Sequence, residues 1–237
     1  MTELIAPFLA AISIDSPIDQ LSQLLDSCEK NLIGIAPWPQ YTYKPHVHFV
    51  IAYGCDSVFI KYYVSEKSVK AIYGNPNEPV YKDSCVEFFV SFANEQGYYN
   101  FEFNCAGTCR VGFGTGKSNR TLLPDAVVRM IKHQALLMPV NNSENGNVSW
   151  ELTLMIPFEV FHHHSLVSLD AQQCRVNFYK CGDELPDPHF LAWNDIRSAH
   201  PDFHLPEFFG KMLFEKSGIS VLPLKTLAQR DKNNQGY

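Results

Sequence analysis

Apolar side chains recur at every second position along much of this chain, a period that predicts β-strands. His46–Tyr53 puts Val47, Phe49, Ile51 and Tyr53 on one face, and Val58–Val64 does the same with Val58, Ile60, Tyr62 and Val64. Gly54-Cys55-Asp56 between them reads as a tight hairpin connection. Further strands are expected at Cys85–Phe92, Tyr98–Asn104, Arg110–Phe113, Val127–Leu137, Val148–Ile156, Arg175–Lys180, Phe190–Trp193 and Lys211–Glu215. Helical spacing is convincing only near 17–29, where Ile18, Leu21, Leu24, Leu25 and Cys28 share a face, Ser16 is an N-cap candidate and Pro17 opens the helix. Short strands separated by Gly, Asn and Pro clusters, with one helix, predict an all-β fold: an antiparallel β-sandwich of two sheets rather than an alternating α/β sheet. The expected organisation is an N-terminal segment over 1–30 whose helix packs on the same domain, a sandwich over 31–216, and a partly disordered extension over 217–237. The polar 141–147 stretch reads as a hairpin tip.

Composition narrows the function classes. With 46% hydrophobic and 13% aromatic residues the chain can fill a sizeable core. The formal net charge of -6, without a Lys/Arg cluster, opposes phosphate backbones and anionic surfaces, so nucleic acid is not an expected partner. No apolar run approaches a membrane span, and residues 1–11, with Glu3 and Pro7 and no basic start, do not read as a secretory signal. Seven cysteines, an odd number without CxxC spacing, suggest reduced thiols and a cytoplasmic location, with Cys105 and Cys109 the pair close enough in sequence to watch.

Candidate chemistry centres on Cys85–Phe92. Val86, Phe88, Val90 and Phe92 can face a core while Glu87 points the other way; in the next strand Asn100, Glu102 and Asn104 lie opposite Tyr99, Phe101 and Phe103. A face carrying carboxylates and amides can hydrogen-bond sugar hydroxyls, and it is equally the solvated outer face of an ordinary sandwich.

Several blocks together resemble a known family. Val58 to Glu66, Tyr81-Lys82-Asp83-Ser84-Cys85-Val86-Glu87-Phe88-Phe89, Tyr99-Asn100-Phe101-Glu102-Phe103-Asn104 with Gly107, Trp150 to Phe158, Val176 to Cys181, His189 to Trp193, Pro201-Asp202-Phe203-His204 and Pro206-Glu207-Phe208-Phe209-Gly210 are similar to family 9 carbohydrate-binding modules, over roughly 30–216. The resemblance is closest to the bacterial family 9-like branch. It implies a sandwich whose members clamp a sugar between two aromatic rings without catalysis, in the service of carbohydrate catabolism; some members carry structural calcium. By position, Tyr81 would supply one ring, where a Trp is usual, Trp193 the opposing ring, and Glu87 the acid that bonds sugar hydroxyls. Asn100, Asn104, Arg110, Asn177 and Asn194 are candidate partners at the rim.

Other readings stay open. Glu87 and Glu102 are the carboxylates a glycoside hydrolase would use, if they flank a cleft, and related sandwiches bind haem, which would call for an axial His or Met. Trp150 shares parity with Val148, Leu152, Leu154 and Ile156 and is expected in the core, and Trp38 at its edge. His162-His163-His164 cannot converge on one ion, because consecutive side chains diverge. His46 and His48 share a strand face that a polar exterior explains, and Gly112, Gly114 and Gly116 lack the order of a phosphate loop.

Overall fold

In the computed structural model, which describes residues 2–92, 95–138 and 146–218, the period-two segments pair into two sheets packed face to face. The larger sheet contains β1 (Glu3–Ala6), β5 (Cys85–Phe92), β6 (Tyr98–Asn104), β7 (Cys109–Gly114), β8 (Arg120–Leu122), β11 (Gln173–Cys181), β12 (Phe190–Ala192) and β13 (Gly210–Phe214). Its order is β1-β13-β11-β5-β6-β7-β8, with β12 beside β11. The smaller sheet runs β2 (Asn31–Leu32), β3 (His46–Tyr53), β4 (Ser57–Glu66), β10 (Val148–Pro157) and β9 (Lys132–Met138) in the order β2-β3-β4-β10-β9. Within the sheets the pairing is antiparallel except that β1 runs parallel to β13.

The core lies between the sheets and follows parity. Val86, Phe88, Val90, Phe101, Val176 and Phe178 meet Phe49, Ile51, Ile60, Tyr62, Leu152 and Leu154 from the other layer, with Phe49 stacked on Phe178 at 3.7 Å between ring centroids. Trp150 is in this core, its indole N–H donating to Glu66 Oε1 at 2.7 Å. Helix α1 (Ile18–Asp26) covers the back of the smaller sheet: Leu21 and Leu25 pack on Val50, Ala52, Phe59 and Met155. Beneath it the buried Lys61 ammonium pairs with Asp26 at 2.6 Å and Glu151 at 2.9 Å.

Local expectations differ from the structure at a few places. The stretch Val127–Leu137 is not one strand. Pro124 leads into a short helix α2 (Asp125–Val128), whose Val127 and Val128 N–H groups return to the Pro124 carbonyl, and only then does β9 begin. Alternation cannot separate these because Val128 and Ile131, three apart, are both buried. Ser16 does not cap α1; its hydroxyl accepts the Ser13 N–H, and Pro17 occupies the N-cap position in an extended conformation. Three short strands, β1, β2 and β8, carry too few residues to show a period. The 141–147 tip and the tail fall largely outside the described residues, which exclude 139–145 and 219–237. All seven cysteines are free.

Candidate functional site

The outward face of the larger sheet is not a solvated surface. Loops from 38–43, 67–84 and 194–209 fold over it and build a second apolar cluster, in which Phe89, Tyr98 and Tyr179 from the strands meet Trp38, Val80, Phe203 and Phe209 from the loops. Trp38 thus belongs to this outer cluster, where its N–H donates to the Ser198 carbonyl at 3.0 Å. The Tyr179 hydroxyl donates to the Phe203 carbonyl, and the two rings stack at 4.1 Å and 7°. These covers leave a pocket of about 200 Å³.

One wall is aromatic: Tyr81, Phe190 and Phe203, with Pro201. Tyr81 sits in a single 3-10 turn over Val80–Lys82 that leads into β5, and Phe190 is held edge-on by Tyr41 at 4.7 Å. The floor is polar. Glu87 on β5 lies directly opposite Glu102 on β6, which lies opposite Arg110 on β7, so the three rise from adjacent strands on one face. Arg120 from β8 reaches Glu102 Oε1 at 3.4 Å, and the Asn100 amide donates to the same oxygen at 2.8 Å. Lys117, Asp183, Asp202 and His204 complete the lining.

Burial pushes both carboxyls up, Glu87 furthest; the neighbouring Glu102 adds to the rise at Glu87, whereas Arg120, Arg110 and Asn100 oppose it at Glu102. Glu102, beside two arginines, is the better placed of the two to carry charge, and Glu87 is the one whose burial most favours the protonated form. His204 is lowered to about 3, first by burial and then by Arg120. Its neutral ring accepts from Arg120 at Nε2, 2.7 Å, and meets the Tyr98 hydroxyl at Nδ1, 2.8 Å. Of the buried polar atoms without a hydrogen-bond partner among the described residues, two belong to the pocket lining, Glu102 Oε2 and Arg110 Nε, 3.9 Å apart.

Of the residues singled out from the sequence, Tyr81, Glu87 and Arg110 line this pocket, and Asn100 steadies its floor. Trp193 does not face Tyr81. It belongs to the core, edge-on to Phe49 and Phe178 at 6.2 and 6.0 Å, because its position beyond β12 turns it inward. Asn104 is committed to the turn after β6, accepting from Ala106 and Thr108 N–H and donating to Asp83 and the Tyr73 carbonyl. That turn requires Gly107, at φ +90°. The Asn177 side chain is spent on the Asn194 backbone, its Oδ1 accepting the Asn194 N–H and its amide donating to the Asn194 carbonyl, while the Asn194 amide donates to the Phe208 carbonyl. Phe190, Phe203, Lys117, Arg120, Asp183, Asp202 and His204 escaped the residue-level reading. The only signal for Phe203 and His204 was their place in a block carrying the family resemblance.

Glu87 and Glu102 stand side by side on one floor rather than across a cleft, which is not the arrangement of a glycosidase pair. The three consecutive histidines diverge: His163 stacks on Phe113 at 4.4 Å while His164 bonds Tyr99 and Glu95. Calcium takes six to eight oxygen ligands. The cluster of metal-ligating side chains found among the described residues is Cys85, Glu87 and Cys181, and two sulfurs with one carboxyl do not suit calcium. No helix of the described residues is long and apolar enough to cross a membrane.

Comparisons with known proteins agree on the family. The model for carbohydrate-binding family 9 matches residues 19–214. A solved structure from Bacteroides uniformis, of a proposed carbohydrate-binding protein, is 37% identical with a TM-score of 0.82, over 90% of this chain and 99% of that one. A family 9 module from Caldicellulosiruptor kristjanssonii in complex with glucose shares the fold at 10% identity and a TM-score of 0.60, over 94% of this chain and 100% of that one. One in complex with cellotriose, from the same organism, does so at 13% and 0.59, over 94% and 99%. No curated protein sequence matches. With its β-sandwich and a family match over most of its length, this chain belongs to carbohydrate-binding family 9.

Proposed function

We propose that the pocket binds a saccharide without catalysis, one sugar ring deep, with its apolar face against Tyr81, Phe190 and Phe203 and its hydroxyl edge on Glu87, Glu102, Arg110 and Arg120. Pyranose C–H faces pack on flat rings while the hydroxyl rim needs donors and acceptors. The observation that carries this reading is the floor beneath the aromatic wall. Glu102 Oε2 and Arg110 Nε lie 3.9 Å apart, unsatisfied, and one hydroxyl can donate to the first while accepting from the second. The family's description and its glucose- and cellotriose-bound members support the same reading.

Titration calorimetry with glucose and short cello-oligosaccharides tests it. Saturable binding is expected, weakened by about 1–3 kcal/mol in Phe203→Ala and in Glu87→Gln. Affinity indifferent to both substitutions would place the ligand elsewhere, and a folded protein that binds no sugar would defeat the proposal.

A further inference from the structure

At the pocket wall formed by Glu87 and Cys181, Glu87 meets a pair of thiols that sugar recognition does not explain. Cys85 and Cys181 are directly opposed on the antiparallel strands β5 and β11, so their side chains leave the sheet on the same face as near neighbours. Glu87, two residues beyond Cys85, projects from that same face. The Cys181 thiol lies 3.1 Å from Glu87 Oε1 and the Cys85 thiol 4.0 Å from it, and the three ligating atoms lie within 4.8 Å of one another. Both cysteines are free of disulfides.

We propose that Cys85, Cys181 and Glu87 form a binding site for a thiophilic divalent metal ion of the zinc class, with a fourth position open toward the pocket.

The spacing suits such an ion. Metal–sulfur bonds of about 2.3 Å and metal–oxygen bonds of about 2.0 Å in a tetrahedron set sulfur–oxygen edges at about 3.5 Å, between the two distances observed here. Two thiolates offset a divalent charge, and the carboxylate completes the donor set on a buried face that tolerates a charge only when it is paired. The donor set selects against calcium and magnesium, which want oxygen throughout. Access and a fourth ligand are both present: Cys181 and Glu87 reach the pocket wall, and so does Asp183, whose carboxyl adjoins the Cys181 thiol. Three ligands and an open position facing a pocket are what distinguish a site that meets a ligand from a closed structural one.

The site shares Glu87 with the saccharide reading but is tested without sugar. Full-length protein, reduced and freed of metal by a chelator, is titrated with zinc by calorimetry and with cobalt by absorbance. The expected result is one equivalent bound, with a thiolate-to-cobalt charge-transfer band in the near ultraviolet. In Cys181→Ala that band is lost and zinc affinity falls by more than the roughly 10- to 100-fold that losing even an outer hydrogen-bond partner costs a metal site. Cys85→Ala behaves alike, and Glu87→Gln, which preserves shape, weakens binding even if a cysteine variant folds poorly. Cys55→Ala, which removes an exposed thiol, leaves uptake unchanged. Uptake without a thiolate band, a band that survives in folded Cys181→Ala, or no stoichiometric uptake would overturn the proposal. The last of these, alongside retained sugar binding, would leave the saccharide reading intact.

Discussion

Glu66 and Glu87 are both buried carboxyls on neighbouring layers, and their surroundings could hardly differ more. Glu66, at the end of β4, faces the core, where Lys180 Nζ stands at 2.9 Å and the Trp150 indole donates at 2.7 Å. Lys180 in turn meets His189 Nε2 at 2.9 Å, and His189 Nδ1 meets the Asp187 carbonyl. That carboxylate is held at Oε1 by a donor and at Oε2 by the ion pair, and it joins β4, β10 and β11. Glu87 faces two thiols and a second carboxyl, and burial, then the neighbouring Glu102, pushes its pKa well up. A carboxyl left this way costs stability and is tolerated where a ligand completes it. The difference separates a group that holds the fold from one that waits for a partner.

Breaking the first member should have the largest effect. Lys180→Met leaves Glu66 buried without its cation and is expected to cost about 3–5 kcal/mol in urea unfolding, much of it recovered when Glu66→Gln is added. Trp193→Ala should cost a similar ~3–5 kcal/mol by emptying core volume against Phe49 and Phe178, with saccharide affinity of the folded fraction unchanged. A loss of sugar binding there without loss of stability would return Trp193 to the site.

The second member behaves oppositely. Glu87→Gln keeps the shape of a carboxyl whose charged form burial already disfavours and should shift stability by less than about 1 kcal/mol, while saccharide affinity drops by about 1–3 kcal/mol. Equal losses in both would mean that Glu87 is structural after all.

Acid sensitivity is spread over several pH units. His189 and His204 are each lowered to about 3, by burial first and then by Lys180 and Arg120 respectively. In the unfolded chain each takes up a proton near the ordinary value of about 6.5. Between those limits the unfolded state binds more protons, so stability is complete above about 6.5 and declines as pH falls toward 3. The slope is at most about 1.4 kcal/mol per pH unit for each histidine. Urea midpoints measured between about pH 7 and about pH 4 should therefore decline less steeply in His189→Gln than in the native chain. Identical slopes would show that His189 titrates normally in the folded protein.

Strand parity was the part of this protein legible in one dimension. Cys85–Phe92, Tyr98–Asn104 and His46–Tyr53 are strands over the very residues whose alternation predicted them, because a two-residue period is a property of a single strand and needs no partner. Parity also put Glu87 and Glu102 on the face away from the core, and Trp150 within it. It could not say what covers that outer face. Phe203 and His204, more than a hundred residues beyond Glu87 in the chain, reach it through a loop without a period, and Arg120 arrives on a strand of three residues. Trp193 shows the converse: aromatic, beside Asn194 and near a strand end, it matched the second ring by position, yet its side chain fills the interior. Which face a residue takes at the end of a short strand depends on how the flanking loop packs. The alternating pattern by itself determined the two-sheet sandwich and the outward floor of carboxylates. Only the tertiary structure decided which rings close over that floor and brought Cys181 opposite Cys85, because those neighbours come from strand pairing and loop closure across long separations.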